Sequence, residues 1–261
     1  MSLLWRDHNA VFVGADAVEV AHYPGRFARG APQRSRVTIE SASGRTANVV
    51  EALRAALGPP RTQRGDATVV VSNHYVRFAL VPEASKLRND TERAVAARHT
   101  LQSVYGEAAA HWRVVLDGAG RKGAAIAAGI DAELVDAIVA ALAAANLRAR
   151  TLKPLFASAL NASRRTLGAG PAWFGVAEPG RLALAYVERG TWLSLRSHRL
   201  RRSLEQELPV LLEQDRLTGL VRGGSETNGR VVLASSAAVQ VELPAGSWTV
   251  QSIPLELAGR A

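Results

Sequence analysis

The sequence predicts an α/β protein made of two related halves, each a mixed β-sheet flanked by helices. A pattern of three successive strands followed by a helix occurs twice, at residues 10–57 and 172–217. After each of these segments the pattern returns to strands, and in the first half strands and helices then alternate, which is typical of sheets that carry helices on their faces. Helices at 131–147 and 155–167 connect the halves. This repetition indicates an internally duplicated fold.

The first half begins with strands at 10–14 and 17–23, separated by a tight turn at Ala15-Asp16. In the second strand Val18, Val20 and His22 alternate with Ala17, Glu19 and Ala21, the period-two pattern of a half-buried strand. A third strand at 36–40 leads to a helix at 46–57. Gly58-Pro59-Pro60 follows that helix directly and is expected to end it.

The middle of the chain alternates short β-rich segments with one polar helix. That helix is predicted at 83–106, where Val95, Leu101 and Val104 are expected to form a weak apolar stripe. The predicted strands around it cover residues 67–72, 75–81, 112–116 and 124–130.

The helix at 131–147 has the clearest signal, because Asp131 can cap its N-terminus and leucine, isoleucine and valine recur at helical spacing. The remaining predicted strands are at 148–154, 172–178, 181–188, 191–199, 230–235 and 247–254, and the remaining predicted helices are at 155–167 and 203–217. Glu178-Pro179-Gly180 and Arg189-Gly190 are turn sequences that separate the three consecutive strands.

Composition limits the classes of protein to consider. Hydrophobic residues make up 48% of the 261 residues, and there is no cysteine, so disulfides and thiolate chemistry are excluded. The N-terminus has no apolar segment of a signal peptide, and no apolar run approaches the roughly 18 residues of a membrane helix. We therefore expect a cytoplasmic protein whose contact with a membrane is indirect.

The formal charge of +9 favours anionic partners, which are nucleic acid, acidic lipid or an acidic peptide. The basic residues are spread along the chain, and aromatic residues are only 5% of it. A nucleic-acid-binding protein more often groups basic residues with aromatic ones, so nucleic acid is not the expected partner. The one dense basic cluster consists of Arg196, Arg199, Arg201 and Arg202, which could bind lipid headgroups or an acidic segment of a partner, or could be a solvated strand end.

Residues 73–82 form a strand that ends in Val81-Pro82, and they are followed by a helix and by strands at 112–116 and 125–129. The helix at 131–147 and the segment 152–160 complete the pattern. In this order the chain resembles the PilM family and the cytoplasmic part of GspL. The resemblance extends over residues 10–235 in the order of elements and is most specific over 73–200.

The resemblance implies an actin-like, ribonuclease-H-type fold. It divides the chain into a first lobe at 1–168, with an inserted subdomain at about 73–130, and a shorter second lobe at 169–261. Proteins of this kind lie on the cytoplasmic face of the inner membrane in type IV pilus assembly or type II secretion. They bind a segment of a membrane-anchored partner or the assembly ATPase, and some bind ATP.

The resemblance also implies where a nucleotide would bind, and there the sequence departs from the pattern. Actin-like proteins hold phosphates at two hairpin turns of the Asp-x-Gly type, where small residues let backbone N–H groups approach. The corresponding candidates are Gly14 and Asp16 in the first turn and Gly175 and Glu178 in the second. In the first, Gly14 precedes Asp16 instead of following it, and in the second, Pro179 offers no N–H.

The glycine pair that would contact adenosine is expected after the strand at 230–235, where Ala234-Ser235-Ser236-Ala237 stands, and Gly223-Gly224 lies earlier. These departures favour a chain that has lost its nucleotide, so no cofactor is expected and ATP with Mg²⁺ is the alternative.

No catalytic or metal-binding set stands out in the sequence. The six histidines lack metal-binding spacing, and there is no phosphate loop or nucleophile elbow. Asp16 and Glu19 are the best acid pair, but they are expected to be solvated edge charges. Three hypotheses remain: an interaction scaffold of a pilus or secretion platform, a slow actin-like ATPase, and a basic nucleic-acid-binding protein.

Overall fold

A computed structural model describes residues 8–23, 31–39, 46–117, 123–168, 170–217, 229–236 and 248–255. The strands are β1 (His8–Val13), β2 (Ala17–Tyr23), β3 (Gln33–Thr38), β4 (Gly65–Val71), β5 (Val76–Val81), β6 (Trp112–Asp117), β7 (Ala125–Asp131), β8 (Leu147–Pro154), β9 (Ala172–Glu178), β10 (Arg181–Glu188), β11 (Thr191–Arg199), β12 (Gly229–Ser235) and β13 (Trp248–Pro254). The helices are α1 (Thr46–Leu57), α2 (Asp90–Tyr105), α3 (Ala132–Ala144), α4 (Leu155–Leu167) and α5 (Leu204–Leu217).

The first sheet has five strands in the order β3-β2-β1-β4-β8. The strands β1, β2 and β3 pair antiparallel, whereas β4 pairs parallel with β1 and with β8. All seven residues of β4 are buried, as expected for a strand covered on both faces by crossover helices. Val49 and Leu53 of α1 and Ile138 of α3 are fully buried.

The second sheet repeats this arrangement with the order β11-β10-β9-β12-β13. Again three strands pair antiparallel, and the next two pair parallel. Its core contains Trp173, Leu182 and Leu184 from the sheet and Leu208 and Leu212 from α5. The predicted duplication of a mixed sheet is therefore confirmed, strand for strand.

A third, smaller sheet has the order β5-β7-β6 and packs with α2. The predicted helix over 83–106 is shorter in the structure, because a 3₁₀ turn at Ala84–Lys86 precedes α2. Asn89 caps α2 by accepting a hydrogen bond from the Glu92 N–H at 2.8 Å. The predicted cap of α3 is confirmed, since Asp131 accepts from the Glu133 N–H at 2.9 Å.

The predicted apolar stripe of α2 is wrong in two of its three residues. Leu101 is fully buried, but Val95 is 64% exposed and Val104 is 59% exposed. The buried face of the helix contains Ala97 with Leu101, two small or aliphatic residues one turn apart. Ala97 takes the place in the buried face that the pattern assigned to the valines, because an alanine is small enough to pack closely there.

The contacts divide the chain into two compact units. The first contains residues 1–76, 130–158 and 256–261, and the second contains residues 77–129 and 159–255. The three-stranded sheet therefore groups with the second five-stranded sheet, and the lobe boundary at residue 168 stays a prediction. Among the described residues, none of the helices combines the length and the apolar character that crossing a bilayer requires.

Candidate functional site

The first predicted phosphate turn joins β1 to β2 and is closed tightly by its own backbone. The N–H of Gly14 donates to the carbonyl of Ala17 at 2.9 Å, and a Cβ at position 14 would lie 2.7 Å from that oxygen. The carbonyl of Gly14 accepts a hydrogen bond from the Tyr75 hydroxyl at 3.1 Å. Glycine is therefore required here by the closeness of the two chain segments.

Asp16 lies in this turn, and its carboxylate faces a protein cation. The Arg36 guanidinium lies 3.7 Å from Asp16 and 3.0 Å from Glu19, its partner across β2 and β3. The side chains of Arg36 and Asp16 are mostly exposed, so their pairing contributes little to stability. Across the described ranges, no three acidic, histidine or cysteine side chains are grouped as a metal site.

The second predicted turn joins β9 to β10. Glu178 and Arg181 are opposite each other, and Pro179-Gly180 forms the loop, with Gly180 at φ 70°. Proline followed by glycine at positive φ is the sequence of a type II turn. The carbonyl of Gly180 accepts from the Leu200 N–H at 3.0 Å.

Gly175 lies in the middle of β9, three residues before this turn. A Cβ there would lie 2.9 Å from Cδ1 of Leu233 and 3.4 Å from Cδ1 of Leu182. Leucine side chains thus fill the space that a side chain at position 175 would take. Gly223-Gly224 and Ala237 lie outside the described residues.

The second unit contains a groove of about 490 Å³ that the sequence did not reveal. One wall is β11, from Leu193 to His198, and the other is formed by 78–80 of β5 and by α2. Two apolar side chains in its lining are solvent-exposed, since Val104 is 59% and Leu193 is 36% exposed. Because β5 and β11 are outer strands of their sheets, two strand edges border the groove.

The predicted basic cluster lies along and after this strand. Arg196 forms an ion pair with Asp215 at 3.1 Å, and Arg199 is exposed at the end of β11. The backbone amides of Arg201 and Arg202 both donate to the Glu207 carboxylate, which fixes the chain as it enters α5. The structure thus distributes the four arginines over a strand and a turn.

Arg181 adds a further cation beside β11. Its guanidinium donates to the Ser197 hydroxyl at 3.1 Å, and it lies across the strand pair from Arg199. Burial and then the neighbouring charge of Arg77 lower the pKa of Arg181, Glu178 opposes this shift, and Arg199 adds to it. Several arginines therefore share one small region of the second unit.

His198 lies on the face of β11 opposite Ser197 and Arg199, and Asp215 is a nearby residue of α5. Burial raises the pKa of Asp215, against the opposing effects of Arg196 and His198. Burial also lowers the pKa of His198, against the attraction of Asp215. The Nε2 of His198 is buried and has no hydrogen-bond partner among the described residues.

We expect the stability of the protein to fall as the pH drops below the ordinary histidine pKa of 6.5. Because the pKa of His198 is lowered in the folded chain, the unfolded chain takes up this proton first. Its contribution is complete above that pH and is lost progressively towards the lower, folded pKa. Urea unfolding of the wild type and of His198→Phe between about pH 7 and pH 5 measures the effect.

The His198→Phe variant should lose less stability over this interval than the wild type. His99→Phe, which changes an exposed histidine of α2, controls for loss of an imidazole. Equal losses in the wild type and in His198→Phe would contradict the assignment to His198.

Comparisons with solved structures identify the fold. The structure is similar to the cytoplasmic domain of EpsL, an inner membrane component of the type II secretion system of Vibrio cholerae, with a TM-score of 0.58 and 10% identity over 95% of this chain and 89% of that one. It is similar to a Bacteroides thetaiotaomicron protein with an actin-like ATPase fold and unknown function, with a TM-score of 0.60 and 11% identity over 91% and 86% of the two chains.

It is also similar to a chain of the PilM-PilN type IV pilus biogenesis complex, with a TM-score of 0.52 and 17% identity over 89% of this chain and 82% of that chain. No family model matches the sequence, and no curated protein matches it. The chain therefore has the actin-like fold that the resemblance to PilM and GspL implied, and shares it with proteins of type II secretion and type IV pilus biogenesis.

Proposed function

We propose that the chain is a scaffold on the cytoplasmic face of an inner-membrane assembly platform, in type II secretion or type IV pilus biogenesis. In this role it binds a peptide segment of a membrane-anchored component or of the assembly ATPase. The fold supports the proposal, because the cytoplasmic domain of EpsL and a chain of the PilM-PilN complex, which belong to those two systems, have structures similar to this chain. The turn at Gly14 supports a role without nucleotide chemistry, because the Gly14 N–H donates to the Ala17 carbonyl and is not directed at a phosphate.

The groove of the second unit is the observation that carries the proposal. Strand edges bind extended peptides through main-chain hydrogen bonds, and neighbouring pockets give specificity. This groove combines two strand edges with the exposed apolar side chains Val104 and Leu193. Such a surface fits a short segment of another protein.

Co-purification from membranes of the source cell tests the proposal. We expect the tagged chain to retain a single-span inner-membrane component, or the assembly ATPase, of a pilus or secretion system. Val104→Asp, at the groove, should reduce this capture, whereas Val139→Asp, an exposed valine of α3, should not. Failure to retain any component of either system would contradict the proposed function.

The alternative is an actin-like ATPase, which the retained hairpin turns and Asp16 favour. Thermal unfolding with and without millimolar Mg-ATP separates the two functions, because a ligand of the native state stabilises it by RT ln(1 + [L]/Kd). For a scaffold we expect a shift below about 2 °C. A larger shift that is abolished in Asp16→Asn would establish nucleotide binding instead.

A further inference from the structure

The groove meets β11 along its edge. Successive residues of a strand point to opposite faces, so a pocket on one face contacts only alternate residues. Here six consecutive residues, from Leu193 to His198, line the groove. The backbone of β11 therefore takes part in the lining, as expected for the outer strand of a five-stranded sheet.

The hydrogen-bond pattern shows which backbone groups point outwards. The N–H of Leu200 donates to the carbonyl of Gly180, so these two residues form a hydrogen-bonded pair of the antiparallel ladder. Hydrogen-bonded and non-hydrogen-bonded pairs alternate along such a ladder. The N–H and C=O groups of Leu195, Ser197 and Arg199 are therefore directed away from β10, towards the open edge.

The opposite wall of the groove offers less backbone. The Tyr105 hydroxyl donates to the carbonyl of Phe78 at 2.9 Å, which occupies an acceptor of β5.

The regular edge of β11 begins after a β-bulge. A register shift opposite Tyr186 and Val187 places this bulge around Leu193. The stretch 195–199 is thus the regular part of the edge, and residues 195–198 of it line the groove.

Arginine side chains lie on both faces of the sheet beside this edge. Arg181 and Arg199 occupy opposite positions on the same face, and Arg181 also reaches Ser197. Arg196 lies on the other face, where its charge is partly balanced by Asp215 and its side chain is still 48% exposed. A strand added at this edge would pass between positive charges on either side.

We propose that the edge of β11 binds an extended, acidic segment of a partner protein, which adds to the second sheet as a sixth strand. This inference rests on the proposed function and specifies its ligand. Main-chain hydrogen bonds to Leu195, Ser197 and Arg199 provide the pairing, and carboxylates of the segment face the arginines. An apolar residue of the segment contacts Val104 and Leu193. These features select a polypeptide over a nucleic acid, which has no backbone amides for strand pairing.

Fluorescence anisotropy with the full chain and labelled probes tests this binding. The main probe is a peptide of about eight residues in which glutamate and valine alternate. Peptides of equal length with lysine in place of glutamate, or proline in place of valine, test charge and strand pairing. We expect the glutamate peptide to bind at least about tenfold more tightly than either. A thymidine oligonucleotide tests the alternative ligand.

Ser197 offers a matched pair of variants. Ser197→Pro removes the outward N–H and leaves the β10 ladder intact, because proline is tolerated on an edge strand whose N–H faces outwards. Ser197→Ala removes the hydroxyl that accepts from Arg181 and keeps the N–H. We expect Ser197→Pro to bind the glutamate peptide roughly fivefold more weakly than Ser197→Ala, the effect of one hydrogen bond.

A second pair isolates charge. Arg199→Glu should weaken binding by about tenfold, whereas Arg54→Glu, an equal change of net charge at an exposed position of α1, should not. Equal affinities for the glutamate and lysine peptides, equal binding by the two Ser197 variants, or preferred binding of the oligonucleotide would each overturn the inference.

The same variants distinguish this inference from the proposed function. If the wild-type chain co-purifies with a platform component and Ser197→Pro and Arg199→Glu retain it equally well, the function stands and the edge of β11 is not its site. If no platform component is retained while the glutamate peptide binds as expected, the edge binds acidic strands in another context.

Discussion

Leu208→Ala should lower the free energy of unfolding by about 2–5 kcal/mol. Leu208 is fully buried in α5 and packs against the core of the second sheet with Trp173 and Leu212. Replacing leucine by alanine loses the free energy gained by burying the removed carbon atoms. It also leaves a cavity between the helix and the sheet, and the surrounding side chains can fill this cavity only partly. Urea unfolding followed by tryptophan fluorescence, to which the buried Trp173 contributes, measures this change.

Val210→Ala is the matched control, because Val210 is 55% exposed on the same helix. Its replacement should change stability by less than about 0.5 kcal/mol. Similar effects of the two variants would mean that α5 does not bury Leu208 against the sheet.

The sequence predicted the fold where local signals and packing agree. The turn Pro179-Gly180 separates two strands because proline and glycine match the two central positions of a type II turn. Asp131 precedes the apolar stripe of α3 and caps it as expected. Such local signals place the elements in order, and the recurrence of that order indicates the duplication.

The groove could not be predicted, because it depends on which strands end up at the edges of their sheets. Both β5 and β11 read as ordinary strands, and the sequence of β5 does not show that this strand has only one neighbour. The exposed Val104 was expected in a core stripe, although it lines this groove. Ser197 and His198 indicate that β11 is an outer strand, since polar residues at consecutive positions are unusual in a strand buried on both faces.

The positions of the arginines in the second unit indicate what their charge could bind. From the sequence alone, the basic cluster could be a binding site or a solvated surface. In the structure Arg181 and Arg199 are partners across the strand pair, and Arg196 lies on the opposite face of the same edge. Positive charge on both sides of one open strand edge is what an acidic strand would complement.

Gly14→Ala should destabilise the protein by about 1–3 kcal/mol, whether or not any nucleotide binds. The new methyl group would lie 2.7 Å from the backbone oxygen of Ala17 and 3.0 Å from the ring of Phe12. A backbone oxygen in a closed turn cannot move aside as the end of a flexible side chain can. The hydrogen bond between Gly14 and Ala17, together with the contact from Tyr75, must therefore be distorted.

Gly170→Ala is the matched control, because a Cβ at that position meets no atom within 4 Å. The same change of one methyl group there should be neutral, or stabilise by up to about 1 kcal/mol through the unfolded chain. Thermal unfolding of both variants without ligand measures the difference. If Gly14→Ala were as stable as Gly170→Ala, the turn would be open enough to adapt, and its backbone amides could then approach a phosphate. That outcome would favour the ATPase alternative. The substitution therefore tests whether glycine at position 14 is required by the close contact with Ala17 or by the binding of a phosphate.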